Sequence, residues 1–486
     1  MTGAVHKITG TETLNHAVLL TTTGVFGGVP GVVGSGESAP LMKIGGLSLF
    51  QRAVLTLQRA GIRNLWVLAG SYEDTLRRSV QNDRRVTVAI RWMPVREFPP
   101  WDSRTWESLA EEIGGPCLLV GAKAAFSRSL IERLRREVSD GEGSVVVACE
   151  DRGGVPGEPR NPLMLVRSAR LVALTEHPED CLVGDPDHLW RASELVVLPS
   201  RLLKVPAATA GSPAPIRTLL ERVAAGGQIK VIEGNASSAQ LWYHEVRGRD
   251  AARAVEQTLF RSLKGEFEGF VDAYVNRKLS AGLTKIFLAL RLSPNAVTMI
   301  SIVIGLMAAA GFASGSYVAG ILGALLFQLS AIVDCSDGEV ARLTFSESKS
   351  GEQLDLLGDN VVHMAIFVGI AWGLIRQLGD GGATSGTAWI PLTLGMAAVA
   401  ANAVSLWLVT RAKTIRERGG WRTPEQAKKV EFVLRNMASR DFSVILLLFA
   451  LIGRLDWFLW IAAIGSNVFW VMLAWITRPS AIASRA

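Results

Sequence analysis

Asp334, Asp337, Asp355 and Asp359 stand at the junction between two long apolar segments, with Gly338, Ala341, Arg342 and Gly351 interspersed among them. Charge at the edge of a bilayer is costly and needs a partner, so by default it marks function. Asp334 and Asp337 are three residues apart and Asp355 and Asp359 four apart, so each pair falls on one face of its own helix. Two such helices joined by a short loop can aim four carboxylates at one point. Left alone, the four anions would repel one another, so something positive must fill the gap. Hard oxygen donors without His or Cys favour Mg²⁺ or Mn²⁺ over zinc. The plainer readings are an acidic ion pathway in a transporter and a buried polar network, neither of which accounts for the Gly-Ala-Arg spacing.

The elements that must position these residues are membrane helices. From Pro294 onward the chain repeats apolar runs near spanning length, which predicts about six helices. They lie near Ala296–Ser314, Val318–Val333, Val361–Leu378, Trp389–Val409, Phe442–Ile452 and Trp457–Ile476, the fifth being the weakest. Arg411, Lys413, Arg416, Arg418, Arg422, Lys428, Lys429, Arg435 and Arg440 crowd the connection between the fourth and fifth runs, and Arg342 and Lys349 flank the acidic turn. The opposite connections carry little beyond Arg376 and Arg454. The positive-inside rule therefore predicts a multi-pass protein of the cell (inner) membrane with both termini and the acidic cluster cytoplasmic. The net charge of +7 follows from this asymmetry and a membrane-facing linker. No basic-aromatic module suggests a nucleic-acid partner. Cys117, Cys149, Cys181 and Cys335 are dispersed, which predicts reduced thiols, and the polar N-terminus shows no signal-peptide pattern.

Residues 1–250 read differently, as alternating strand-like and helix-like runs. The strand-like run Ala17–Thr22 precedes a glycine-rich loop over residues 24–36. A helix near Leu47–Ala60 leads to the apolar run Leu65–Ala69, with later strand candidates at Cys117–Val120, Ser144–Ala148 and Met164–Val166. This alternation predicts an α/β domain with a mostly parallel sheet. A glycine-rich loop after the first strand is where such folds bind phosphates, although alone it is a weak sign. Residues 251–292 read as linker helices. Phe267, Phe270, Val271, Tyr274 and Leu279 could line one side, and Arg277 and Lys278 another, as suits helices lying in the membrane interface. Ser293-Pro294-Asn295 then opens the first span with a helix-entry signature, for which capping is the plain role of Asn295 and Thr298 and substrate contact the sharper one. An all-α membrane domain over 293–486 completes the expected organisation.

The acidic pattern resembles, without a gap or substitution, the signature D-x2-D-G-x2-A-R-x8-G-x3-D-x3-D of the CDP-alcohol phosphatidyltransferase family. The resemblance implies transfer of a phospho-alcohol from a CDP-alcohol to an acceptor hydroxyl with release of CMP. It implies that Asp334, Asp337, Asp355 and Asp359 share one or two divalent cations, and that Asp359 takes the acceptor's proton. Asp334, Gly338, Ala341, Arg342 and Gly351 would bind the CDP group: the small residues let a nucleotide approach, and the arginine fork suits a phosphate oxygen. Glu339 and Lys349 occupy variable positions, where solvated charge is the plain role. Lys349 is kept with Arg411, Lys413 and Arg440 as a candidate for binding a phosphorylated acceptor, a role that positive-inside topology rivals. His363 reads as a bundle histidine. A homodimer is also implied by the resemblance.

The first half, through Ala39-Pro40-Leu41-Met42-Lys43-Ile44-Gly45-Gly46 and Ala60-Gly61-Ile62, looks like the start of a sugar-phosphate nucleotidyltransferase domain. The fusion resembles the bifunctional inositol-1-phosphate cytidylyltransferase / di-myo-inositol-phosphate-phosphate synthase family, whose linker is echoed by Glu268-Gly269-Phe270 and Asn276-Arg277. The departures are chemical. The glycine-rich loop has no basic residue, Ala39 stands where that family places a lysine, and Ala122 and Val246 stand where it places metal-binding carboxylates. Nucleotidyl transfer needs cations to offset triphosphate charge, so this domain is expected to be inactive. Asp185 and Asp187 are the displaced-ligand candidates, though a turn suits Gly-Asp-Pro-Asp better. An inactive cytidylyltransferase weakens CDP-inositol as donor. CDP-diacylglycerol, drawn from membrane lipids for a phospholipid-biosynthetic reaction, is therefore the first expectation. Transfer from CDP-inositol to inositol phosphate is the alternative, and a non-catalytic transporter or scaffold the rival from another class.

Overall fold

In the computed structural model the chain divides into two units, Met1–Ser262 and Leu263–Ala486. The structure describes residues 13–22, 25–26, 39–139, 144–149, 161–175, 188–204, 215–224, 229–234, 240–263, 277–380, 389–417 and 441–477.

The first unit contains strands β1 (His16–Leu20), β2 (Lys43–Ile44), β3 (Leu47–Ser48), β4 (Asn64–Ala69), β5 (Ala89–Pro94), β6 (Cys117–Val120), β7 (Ala124–Phe126), β8 (Ser144–Cys149), β9 (Leu163–Arg167), β10 (Arg170–Thr175), β11 (His188–Leu198), β12 (Ile229–Glu233) and β13 (Tyr243–Glu245). Its helices are α1 (Leu49–Arg59), α2 (Glu73–Gln81), α3 (Ser103–Glu112), α4 (Arg128–Ser139), α5 (Ser200–Leu203), α6 (Pro215–Ala224) and α7 (Arg249–Ser262). Local chemistry starts α1 sharply: the Ser48 hydroxyl accepts the Gln51 N–H and the Gln51 side chain returns to the Ser48 backbone, a complete capping box.

Nine strands form one sheet in the order β5-β4-β1-β6-β11-β8-β12-β10-β9. Strand β1 is parallel to both neighbours, with Val18 opposite Trp66 and Leu119. Its side chains alternate between two cores: Ala17 and Leu19 join α1 and α4 residues on one face, and Val18 and Leu20 join α3 and α6 residues on the other. Burial on both faces is why these strands read as continuous apolar runs. The α/β reading holds, but the sheet is parallel only across β5-β4-β1-β6 and between β8 and β12. Strand β11 enters antiparallel to β6 and β8, and β9 and β10 form a hairpin. Its turn, Ser168-Ala169, has φ of 51° and 58°. Such turns normally announce themselves with Asn-Gly, and this one does not, so the sequence concealed the antiparallel part.

Helix α7 packs into this unit. The Glu256 carboxylate accepts the Gly45 N–H at 3.1 Å, and His244 lies 3.0 Å from Thr258. The segment read as linker is therefore divided, its first helix belonging to the first unit. Residues 264–276, including Phe267, Phe270, Val271 and Tyr274, lie outside the described residues.

The second unit contains α8 (Arg277–Ala289), α9 (Pro294–Ala313), α10 (Tyr317–Thr344), α11 (Lys349–Asp380), α12 (Trp389–Glu417), α13 (Asp441–Ile452) and α14 (Leu455–Ile476). Among the described residues five helices are long and apolar enough to cross a membrane: α9, α10, α11, α12 and α14. The expected fifth span, α13, is 12 residues long, and what precedes it lies outside the described residues. Large apolar side chains face outward along these helices, among them Met307, Leu322, Val368, Trp372, Met396, Trp407 and Trp475. That distribution suits lipid rather than water.

Helix α9 is gripped by α10 and α11. A methyl placed on Gly369 or Gly373 would strike the carbonyl oxygens of Ala309 or Phe312, so small residues permit a backbone approach that larger ones would block. Helix α8 turns Leu279, Ile286 and nearby Leu290 outward and buries Ser280, Thr284 and Phe287.

Candidate functional site

Helix α10 carries the acidic motif on its last three turns. Phe345 ends it in the left-handed region (φ 57°), while the Ser346 N–H bonds back to the Ala341 carbonyl. Three residues later Lys349 starts α11, and this reversal sets Asp355 beside Asp334 and Asp337. One carboxylate oxygen from each of the three lies within 4.8 Å of the others. Asp334 and Asp337 are buried and Asp355 is half-buried. At such separations each pair of anions repels by about 3 kcal/mol at an effective dielectric near 20, so the cluster needs positive charge.

A hydroxyl on α9 orients one of the carboxylates, and a second stands near another. The Thr298 hydroxyl donates to Asp337 Oδ2 at 2.5 Å, closer than its alternative acceptor, the Pro294 carbonyl at 3.1 Å. Ser301 directs its proton to the Thr298 carbonyl at 2.7 Å and stands 3.5 Å from Asp334 Oδ1. The helix N-cap is Ser293, whose hydroxyl accepts the Ala296 N–H. Thr298 thus steers a carboxylate rather than capping the helix. Asp359, one turn beyond Asp355, is half-buried and is not one of the three that converge.

The donors fit the expected metal. Three acidic oxygens aimed at one point, with no nitrogen or sulfur among them, form a hard-cation set that Mg²⁺ or Mn²⁺ would suit.

The small residues sit where close approach occurs. A methyl on Gly338 would lie 3.2 Å from the Arg342 guanidinium, which folds back over it at the exposed end of α10. A methyl on Gly351 would lie 3.0 Å from Ser348 Oγ and 3.2 Å from Asn295 Oδ1. Ala341 is half-buried. Among the basic candidates, Lys413 forms an exposed ion pair with Glu352 at 2.9 Å, which brings α12 beside the start of α11. Arg411 stacks over the Trp407 ring at 5.5 Å, Lys349 is exposed, and Arg440 lies outside the described residues. His363 packs against Phe327 and Phe442, as a bundle histidine does. Cys117, Cys149 and Cys335 are reduced thiols, and Cys181 lies outside the described residues.

Glu339 corrects its expected role. It is 5% exposed, and its carboxyl oxygens accept the Ser280 and Thr284 hydroxyls at 2.9 and 2.7 Å. Its position beside the motif glycine gave no sign of this, because the partners lie 55 and 59 residues away.

The first unit holds its own carboxylate. Ala39, Ala122 and Val246 are all buried and supply no polar side chain. Glu194 lies in β11 where its register with β8 shifts, an irregularity that re-aims side chains. Its carbonyl accepts the Gly121 N–H at 2.9 Å, and its side chain fills the space over Gly121. Oε2 accepts the Val25 N–H, just past β1, at 2.5 Å, while the Glu194 N–H donates to the Tyr243 hydroxyl at 2.9 Å. Burial, then the nearby charge of Glu245, pushes the Glu194 carboxyl up to about 7; the Val25 N–H, Asn161 and Arg247 oppose the rise. Arg247 itself pairs with Glu245 at 2.7 Å. Asp185 and Asp187 lie outside the described residues.

Residues 291–479 match the CDP-alcohol phosphatidyltransferase family, so the second unit carries a domain of that family. Two relatives are named "Bifunctional IPC transferase and DIPP synthase". The one from Archaeoglobus fulgidus is 33% identical over 132 residues, 27% of this chain and 26% of its own length. The one from Aquifex aeolicus is 28% identical over 137 residues, 28% of this chain and 31% of its own length. The chain thus spans between a quarter and a third of the curated relatives it matches. Among solved structures, the inositol-1-phosphate CTP transferase from T. maritima aligns at a TM-score of 0.38 and 12% identity, over 51% of this chain and 96% of that one.

Proposed function

We propose that this protein is a membrane-embedded CDP-alcohol phosphotransferase that transfers a phospho-alcohol group to an acceptor hydroxyl and releases CMP. The observation that carries the reading is the convergence of Asp334, Asp337 and Asp355 on one point within a domain of that family. These residues would hold Mg²⁺ or Mn²⁺, which when bound offsets charge on the donor pyrophosphate and on departing CMP.

The remaining roles fall to the chain itself. Thr298 fixes the rotamer of Asp337, so this ligand is ordered before substrate arrives. Gly338, Ala341 and Gly351 leave room for the cytidine nucleotide along the helix backbones. Arg342 offers its fork to a phosphate oxygen. Asp359, one turn past Asp355, takes the proton from the acceptor hydroxyl as the new oxygen–phosphorus bond forms and the bond to CMP breaks. Lys349, Arg411 and Lys413, together with Arg440 by its place in the sequence, would supply the positive charge toward which a phosphorylated acceptor is drawn. The site faces the cytoplasm, and the first unit serves as a scaffold without nucleotidyl transfer.

A lipid donor, CDP-diacylglycerol, suits a site at the end of two membrane helices. The names of the relatives favour a second reading, in which CDP-inositol is the donor and inositol phosphate the acceptor. The test is CMP release by purified full-length protein with Mg²⁺ or Mn²⁺, each donor offered separately against inositol phosphate, glycerol phosphate and inositol. Metal-dependent release from one pair names class and substrates together. Asp359→Asn should slow turnover by about 10²- to 10⁴-fold, the usual reach of a general base, while retaining much of the donor affinity. Equal CMP release from wild type and Asp359→Asn would remove its role as base.

A further inference from the structure

Helix α8 is held to α10 by a polar seam. Ser280 and Thr284, four residues apart on α8, donate to the two carboxyl oxygens of Glu339 at 2.9 and 2.7 Å. Ser336, three residues before Glu339, has its hydroxyl 3.3 Å from the Ser280 carbonyl. Ser280, Thr284 and Ser336 are 0% exposed and Glu339 is 5% exposed. Phe287, Val297, Val333 and Val340 continue the seam as apolar packing.

Helical spacing decides what this seam does. At about 100° per residue, Asp334, Asp337, Gly338 and Ala341 occupy one side of α10, while Ser336, Glu339, Val340 and Leu343 occupy the other. The metal-ligand face and the α8 face are therefore back to back. Apolar residues of the same volume would fill a buried seam at least as stably as a carboxyl group, because burying a polar group is costly. What the hydroxyl–carboxyl bonds add is direction: they admit one rotation and one register of α10 against α8, as single buried polar residues do in coiled coils.

We infer that Glu339 is a positioning residue, fixing the rotation of α10 and through it the aim of Asp334 and Asp337 at the cation. The inference rests on the proposed reading of the acidic cluster. Glu339 is itself turned away from the three convergent carboxylates, so its effect passes through the helix.

The experiment is Mn²⁺ binding to full-length protein in lipid nanodiscs, read by electron paramagnetic resonance of free Mn²⁺, alongside the Mn²⁺ dependence of CMP release. Glu339→Leu, which keeps volume and removes the hydrogen-bond acceptors, is compared with Glu339→Gln and with the pair Ser280→Ala/Thr284→Val. Glu339→Leu and the pair variant should weaken Mn²⁺ binding by about tenfold, the lower end of what losing a supporting partner of a ligand costs. Glu339→Gln, which keeps an acceptor oxygen, should restore most of it. A folded Glu339→Leu or pair variant with wild-type Mn²⁺ affinity would overturn the inference, even if its melting temperature fell. Should Glu339→Leu fail to fold, the pair variant alone decides. Wild-type protein that binds no Mn²⁺ would remove the proposed function and this inference with it.

Discussion

Each unit gathers carboxylates at a place where its sequence resembles an active centre, and the two gatherings have opposite chemistry. In the first, Glu194 stands near one other acid, Glu245. It is met by the Val25 N–H, Asn161 and Arg247, while Arg247 also pairs Glu245. Its carboxyl is enclosed by these partners and holds its proton up to about 7, and its side chain occupies the space over Gly121 at the end of β6. In the second, Asp334, Asp337 and Asp355 converge within 4.8 Å, with the Thr298 hydroxyl of α9 directed at Asp337. Hydroxyl hydrogen bonds orient anions without cancelling their charge. The lesson is that number of carboxylates matters less than what surrounds them: the first group is a closed network, and the second is left with charge that a cation would suit.

The largest expected effect breaks the comparison if it fails. Asp337→Asn should reduce metal-dependent CMP release to background, while Glu194→Gln leaves it at the wild-type rate. Loss of CMP release in Glu194→Gln would mean that the first unit takes part in the chemistry. Metal removal comes next. Chelation should stop CMP release and lower the melting transition of wild type, and Mg²⁺ or Mn²⁺ should restore both. A ligand at 100 times its dissociation constant stabilises by about 2.7 kcal/mol. Asp337→Asn should show no such metal-dependent shift, and an equal shift in both proteins would place the cation elsewhere.

A smaller effect belongs to pH. The folded Glu194 carboxyl is raised to about 7 from the ordinary 4.5, so the folded state holds this proton more tightly than the unfolded chain does. Its stability is therefore greatest, as far as this group is concerned, below about 4.5. The advantage is lost as pH rises through about 7. Wild type should lose melting temperature relative to Glu194→Gln across that window, and parallel curves would show that the Glu194 proton is not held as its burial demands. Smallest of all is Lys413→Ala. Its ion pair with Glu352 is exposed and worth at most about 1 kcal/mol, so melting should scarcely change. A raised KM for a phosphorylated acceptor, with kcat intact, would sharpen its role beyond topology.

The acidic motif was legible because its spacing is helical: three- and four-residue steps place carboxylates on one face whatever surrounds them. The alternation of apolar runs likewise announced the α/β unit, and Ser293-Pro294 announced the start of α9. The antiparallel share of the sheet was not legible, since the Ser168-Ala169 turn lacks the usual residues and β11 pairs with strands distant in sequence. The burial of Glu339 is invisible in the sequence for a similar reason. Nothing within a helical turn of it in the sequence supplies Ser280 and Thr284.

By itself, then, the sequence determined that two unlike units share this chain, that the second is built of membrane-length apolar helices, and which carboxylates share a helix face. These are local properties, written in periods of two and 3.6 residues and in hydropathy. Only the tertiary structure decided that Asp355 closes on Asp334 and Asp337 while Asp359 stands a turn away. Likewise, only the tertiary structure buried Glu339 under α8 and lodged Glu194 over Gly121. Those outcomes depend on which distant residues the packing brings within hydrogen-bond reach, and no spacing along a single element encodes that distance.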